Sequence, residues 1–159
     1  MAKALSAPGA VIQEWWRKLS PLPGGKTLFS IAVGRMAPYT GSIGARVQEF
    51  GGGYARWTMR DRKAVRNHLN SIHAVALVNL AEVASGTAMM SGMPAGVRGI
   101  VTGLSMEYLK KARGTLTADC RCQVPVVTSE MDFPLIAEIR NEAGEMVARA
   151  TIQWRLAPA

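Results

Sequence analysis

Two cysteines and two histidines are all that the chain offers of the side chains most used to hold transition metals. Cys120 and Cys122 form an isolated Cys-x-Cys with no second cysteine pair, and His68 and His73 lie far upstream. That spacing matches no zinc module, so no metal site is expected. Alternate residues of one strand share a face and are poorly placed to bond each other. The pair therefore reads as free thiols of a reducing compartment. Acidic residues are scarce as well, 11 against 19 lysines and arginines, for a net charge of +8. Such a surplus suits a phosphate-bearing partner or a merely solvated surface. The basic residues are spread along the chain without a helix-turn-helix, zinc-finger or aromatic RNA-binding signature, so nucleic acid is not the expected partner.

No stretch of about twenty apolar residues runs free of charge or turn signals, and no membrane span is expected. The opening MAKALSAPGAVIQEWWRKL has no compact apolar run leading to a cleavage site. No secretory signal is read there, and the expected location is the cytoplasm. Internal repeats and low-complexity segments are absent too. A chain of 159 residues with 48% hydrophobic content suits one domain, 1–159, with a substantial core.

What is present is one dominant stretch, RNHLNSIHAVALVNLAEVASGTAMMSGM from Arg66 to Met93. It reads as a polar entry loop running into an apolar helix from about residue 73 to about residue 90. Asn70 or Ser71 is placed to cap it, and Ser91, Gly92 and Pro94 end it. With Ala74, Val75, Ala76, Leu77, Val78, Leu80, Ala81, Val83 and Ala84 in succession, almost no polar side is left, and burial nearly all round is expected. Glu82 stands out there, because a carboxylate in apolar surroundings is costly unless paired or employed. Asn79, Glu82 and Gly86 share a face at helical spacing. His73 and Asn67 stand at the entrance.

Around this helix the period changes. Residues 9–19 and 26–36 read as short amphipathic helices, stopped by Ser20-Pro21 and Pro38. They form an N-terminal extension, 1–40. From 41 to 159 the pattern is mostly period two: GARVQEF and YARWTMR as a hairpin about a triple glycine, then, after the helix, a long strand GIVTGLSMEYLKKA with Ile100, Thr102, Leu104, Met106 and Tyr108 on one side. Arg113-Gly114 turns that strand into LTADCRCQVPVV, and a last hairpin bends near residues 142–145. Helices followed by runs of strands, without strand-helix-strand alternation, give an α+β fold in which an antiparallel sheet wraps a central helix.

Two stretches carry a family likeness. NHLNSIHAVALVNLAE resembles the pattern of hotdog-fold acyl-CoA thioesterases of the phenylacetate-pathway type and their relatives of unknown function: an Asn, a His six residues on, and an acidic residue nine beyond, met by Asn67, His73 and Glu82. LSMEYLKKARGTLTADCRC is similar to that family's long strand ending in aromatic-Leu-basic before a small turn. The likeness spans roughly residues 40–157. It implies a hotdog fold, a homodimer or homotetramer, and hydrolysis of an acyl thioester whose coenzyme A portion is the only cofactor. Glu82 would then be general base or nucleophile, with Asn67 and His73 beside it in a site shared between protomers. Val75, Asn79 and Gly86 would line the acyl slot, while Arg98, Lys110, Lys111 and Arg113 would hold the phosphates of coenzyme A. The family commonly has His-Gly-Gly where this chain has His73-Ala74-Val75, which narrows the slot. A hotdog protein that binds fatty acyl chains or acyl thioesters without turnover is the alternative. Each residue also has a plainer use: an ion pair for Glu82, a backbone-satisfied histidine at 73, a bridged loop at Asn67, and solvated charge for the four cations.

Overall fold

A computed structural model describes residues 8–159. The first seven residues of the expected N-terminal extension lie outside the described residues. The remaining extension is helical: α1 (Pro8–Leu19), α2 (Gly25–Met36) and a single turn, α3 (Pro38–Gly41). Pro38 was expected only to stop α2, yet it also starts α3, since a proline's missing N–H costs nothing at a first helical position. Trp16, Phe29 and Phe50 meet edge-on or tilted at 5.2–5.9 Å and join this layer to the sheet. The Ser30 hydroxyl adds a polar tie, accepting from the Val47 amide at 2.9 Å while donating to the Lys26 carbonyl at 2.7 Å.

Six antiparallel strands follow the order β1-β2-β4-β5-β6-β3. They are β1 (Arg46–Gly51), β2 (Tyr54–Met59), β3 (Val97–Tyr108), β4 (Leu116–Arg121), β5 (Met131–Arg140) and β6 (Met146–Pro158). The hairpins β1–β2 and β5–β6 stand where the turn residues place them. The expected turn of the long strand into its successor does not make a hairpin: β3 pairs with β6 and sits at the sheet edge, and residues 109–115 carry the chain across to β4 beside β2. A turn residue marks where a strand stops, whereas its partner is chosen by the faces that must be buried. The expected one-sided register of β3 is also corrected. A bulge leaves Thr102 unpaired between Val101 and Gly103, and an extra residue reverses which side chains face inward. Ile100 is accordingly 66% exposed although Leu104 and Met106 pack on the core.

The long helix, α4 (Ala74–Gly92), lies across the sheet and packs on β2, β4, β5, β1 and β6. Leu77, Leu80, Ala81, Ala84 and Ala88 meet Trp57, Met59, Leu116, Ala137, Ile139 and Ile152, all buried. Gly92 lets its backbone approach Gly53, where an added Cβ would come within 2.9 Å of the Gly53 Cα. By length and composition α4 could cross a bilayer, but 67% of its most apolar window is buried inside this fold. Burial nearly all round is nevertheless not what α4 has. Val75 is 48% exposed, and Val78, Glu82, Gly86 and Met90 are only partly covered. Sheet and N-terminal helices wrap three sides and leave this stripe open.

Candidate functional site

The polar entry loop is built around Asn67. Its side-chain oxygen accepts from the Leu69 amide at 2.9 Å and the Ser71 amide at 3.2 Å, while its own backbone N–H donates to the Ser71 carbonyl at 2.8 Å. This side-chain-to-backbone turn uses the oxygen of Asn67 and leaves its NH₂ group as the part able to meet a ligand. Asn70 takes a positive φ of 53° at the tip. It does not cap α4, and neither does Ser71. The cap is His73, whose Nδ1 accepts from the Val75 amide at 3.1 Å. The His73 backbone is tied to the Val65 carbonyl at 2.8 Å, which fixes where α4 begins.

Beside this helix start lies a hollow of ≈ 330 Å³, lined by Asn67, Ser71, Ala74, Tyr108, Lys110 and Lys111 among others. The Tyr108 hydroxyl donates to the Ala74 carbonyl at 3.4 Å, joining the end of β3 to the helix. Ser71 Oγ is buried with no hydrogen-bond partner among the described residues. A buried polar atom left unpaired is costly, and Ser71 is one of the residues lining the hollow. Sequence reasoning treated Ser71 only as a cap and did not single out the Tyr108 hydroxyl. Their positions depend on β3 folding back along the helix.

Glu82 occupies the partly covered stripe of α4. Burial, the sole cause, pushes its carboxyl above the usual glutamate range, and no cation or donor pairs with it among the described residues. Gly86, one turn on, leaves the flank of the carboxylate clear: an added Cβ would stand 3.6 Å from Glu82 Oε1. Held above the ordinary range, such a carboxylate accepts a proton more readily than an exposed glutamate. Nine residues of helix separate Glu82 from His73, about 13 Å along the axis. One chain therefore does not bring Glu82 together with Asn67 and His73.

The other expected residues also divide. Asn79 is buried and donates its amide to the Tyr39 carbonyl at 2.9 Å, fastening α4 to α3. Lys110 is ion-paired with Glu145 at 2.6 Å. Lys111 and Arg113 are exposed; Arg113 helps Arg66 and the Gly114 amide hold the Asp61 carboxyl below its usual range. Arg98, reaching the Pro158 carbonyl at 3.3 Å, stands at the opposite end of β3, about 30 Å from Tyr108 at a strand's rise per residue. The two cysteines are buried, with their thiols pushed up to about 12 for Cys120 and about 11 for Cys122 by burial first of all. They are not nucleophiles at neutral pH. Among the described residues no three His, Cys, Asp or Glu side chains cluster to hold a metal.

Comparison with known proteins agrees with this architecture. No curated protein is significantly similar to the chain. Among solved structures, genomics APC5556 superimposes with a TM-score of 0.80 at 30% identity, over 95% of this chain and 98% of that one. PA5026 of Pseudomonas aeruginosa, described as a probable thioesterase, gives 0.75 at 21% identity over 87% and 97%. A hypothetical thioesterase from Streptococcus pneumoniae TIGR4, solved with coenzyme A, gives 0.63 at 20% identity over 79% and 97%. At 20–21% identity the last two speak for the fold. The model of a domain of unknown function, DUF4442, matches residues 25–156, and this hotdog-fold chain belongs to that family.

Proposed function

We propose that the chain hydrolyses an acyl thioester of coenzyme A to the free acid and coenzyme A, in a site shared by two protomers. The observation that carries this reading is the unpaired, desolvated carboxylate of Glu82 on the open stripe of the core helix, kept accessible by Gly86. Two things support a dimer. The stripe is largely apolar and only partly covered, and β3 presents a twelve-residue edge on which Ile100 and Tyr108 are more than half exposed, as is Leu109 just past it. An unpaired edge of that length is a template for a second copy, and this reading requires a two-fold pairing that sets the helix start of one protomer against the mid-helix of the other. In such a pair the separation of about 13 Å within one chain is no obstacle. The probable-thioesterase neighbour and the neighbour holding coenzyme A support the substrate class.

In this reading Glu82 takes a proton from water as its oxygen attacks the thioester carbonyl carbon. The C–S bond breaks, and the departing sulfur receives a proton to leave as the coenzyme A thiol. The NH₂ of Asn67 and the Ala74 amide at the start of α4, both from the second protomer, hold the carbonyl oxygen as negative charge develops. His73 sets the first turn of α4. Val75 limits the slot, Asn79 anchors the helix beneath it, and Lys111 and Arg113 offer charge for phosphates, with Lys110 held back by Glu145. Two buried free thiols are in keeping with the cytoplasm.

A second reading, a carrier that binds acyl thioesters without hydrolysis, is favoured by one contact: the His73 ring already occupies the Val75 amide. Thiol release from a panel of acyl-CoA esters separates them. Hydrolysis of at least one ester, abolished by Glu82→Gln, supports the hydrolase. Binding without release by the wild-type protein supports the carrier.

A further inference from the structure

At the β1 edge of the sheet, a hollow of ≈ 630 Å³ is lined by Lys26 and Thr27 of α2, Arg46 of β1, and Thr58, Arg60 and Arg62 of and just after β2. No carboxylate is among its lining residues. None of its four cations is ion-paired among the described residues, whereas Arg56, Arg66, Lys110, Arg140, Arg149 and Arg155 all are. The two acids nearest in sequence are turned away: Glu49 to Arg56 at 2.8 Å, and Asp61 to Arg66 at 2.6 Å and the Gly114 amide at 3.0 Å. From residue 15 to residue 48 the chain has no acid at all.

Three of the cations are held in place by backbone carbonyls. Lys26 Nζ donates to Gln48 at 2.7 Å, Arg62 Nη2 to Ser42 at 2.8 Å and Arg46 Nη1 to Ala45 at 3.4 Å. Gly44, at a φ of 64°, admits the Arg62 guanidinium, since a Cβ there would stand 3.1 Å from Nη2. Like charges gathered without counter-charge raise one another's energy, and an anion relieves that. Several guanidiniums with an ammonium and two hydroxyls form the donor set that binds neighbouring phosphates, in a volume suited to a small molecule.

We infer that this hollow binds a soluble oligophosphate, a ligand carrying at least two phosphoryl groups, through Lys26, Arg46, Arg60 and Arg62. The proposal is independent of hydrolysis at Glu82, because its test involves no turnover.

Inorganic pyrophosphate is titrated calorimetrically into the full chain at constant ionic strength, with sulfate as reference. Expected is one-to-one binding tighter than sulfate, weakened roughly tenfold or more in Arg46→Gln/Arg60→Gln, the scale of losing charge-assisted hydrogen bonds. Arg60→Glu supplies a second variant, as the Arg60 side chain makes no hydrogen bond or ion pair among the described residues, and should weaken binding as strongly with an unchanged melting temperature. Pyrophosphate binding no tighter than sulfate would overturn the proposal, and so would equal affinity in both variants. Retention on phosphatidylglycerol vesicles without binding of free pyrophosphate would overturn it as well, by making the patch a membrane-facing surface. Loss of binding in Lys111→Ala/Arg113→Ala but in neither hollow variant would move the anion elsewhere, with the same result.

Discussion

Replacing Glu82 by glutamine separates the chemical use of this carboxyl from a structural one. The change keeps shape and hydrogen-bonding capacity and removes basicity. Because no cation pairs with Glu82 among the described residues, no opposite charge is stranded, and the loss of about 3–5 kcal/mol that follows breaking a buried ion pair is not expected. Burial instead raises the carboxyl above its ordinary value of 4.5. A group that binds its proton more readily folded than unfolded makes folding take up protons between the two values, so wild-type stability falls as pH rises from 4.5 through the raised value. Glutamine escapes that fall. At pH 7 its melting temperature should be equal or higher, by about 2–4 °C for each kcal/mol recovered in a chain of this size, and the two proteins should converge in acid. Thiol release should drop at least about a hundredfold in kcat, roughly 2.7 kcal/mol of barrier. The acid limb of the wild-type pH profile should lie above the ordinary carboxylate value and vanish with glutamine. A kcat within about threefold of wild type, or a melting temperature lowered by about 10 °C or more, would refute this use of Glu82.

Introducing a charge on the open edge, Ile100→Glu, should convert a dimer to a monomer in light scattering while the circular dichroism spectrum is kept, because Ile100 is 66% exposed in the single chain; an unchanged dimer would place the interface elsewhere. Lys111→Ala/Arg113→Ala should raise KM for acyl-CoA more than it lowers kcat, the mark of lost uniform binding. A thioester of a short pantetheine analogue should be nearly indifferent to that change, and equal losses on both substrates would assign these cations to the fold.

Periodicity and punctuation were enough to read α1, α2 and α4 within two residues of their ends, and the triple glycine marked the β1–β2 hairpin. What sequence hides is pairing across distance. The edge position of β3 depends on β6, some fifty residues on, and its bulge at Thr102 leaves no compositional trace. α4 is so uniformly apolar that no periodicity tells which stripe stays open; that follows only from where the sheet and α3 end. Asn79 looks like a neighbour of Glu82 on the helical wheel, yet its amide finds the Tyr39 carbonyl, forty residues back. His73 was legible as a helix-start residue, and its capping of Val75 needed the ring's orientation. Glu82 was the exception, because a lone carboxylate amid alanine, valine and leucine announces its cost from composition alone.

A site shared between protomers is tested most directly by mixing two damaged chains. Asn67→Asp keeps the oxygen that accepts from Leu69 and Ser71 and removes the NH₂ donor; Glu82→Gln removes the base. Each homodimer should be inactive. A heterodimer purified through two different tags has one site with both defects and one with neither, so thiol release from an acyl-CoA that the wild type hydrolyses should return to about half the wild-type rate. A heterodimer as inactive as its two parents would contradict the account.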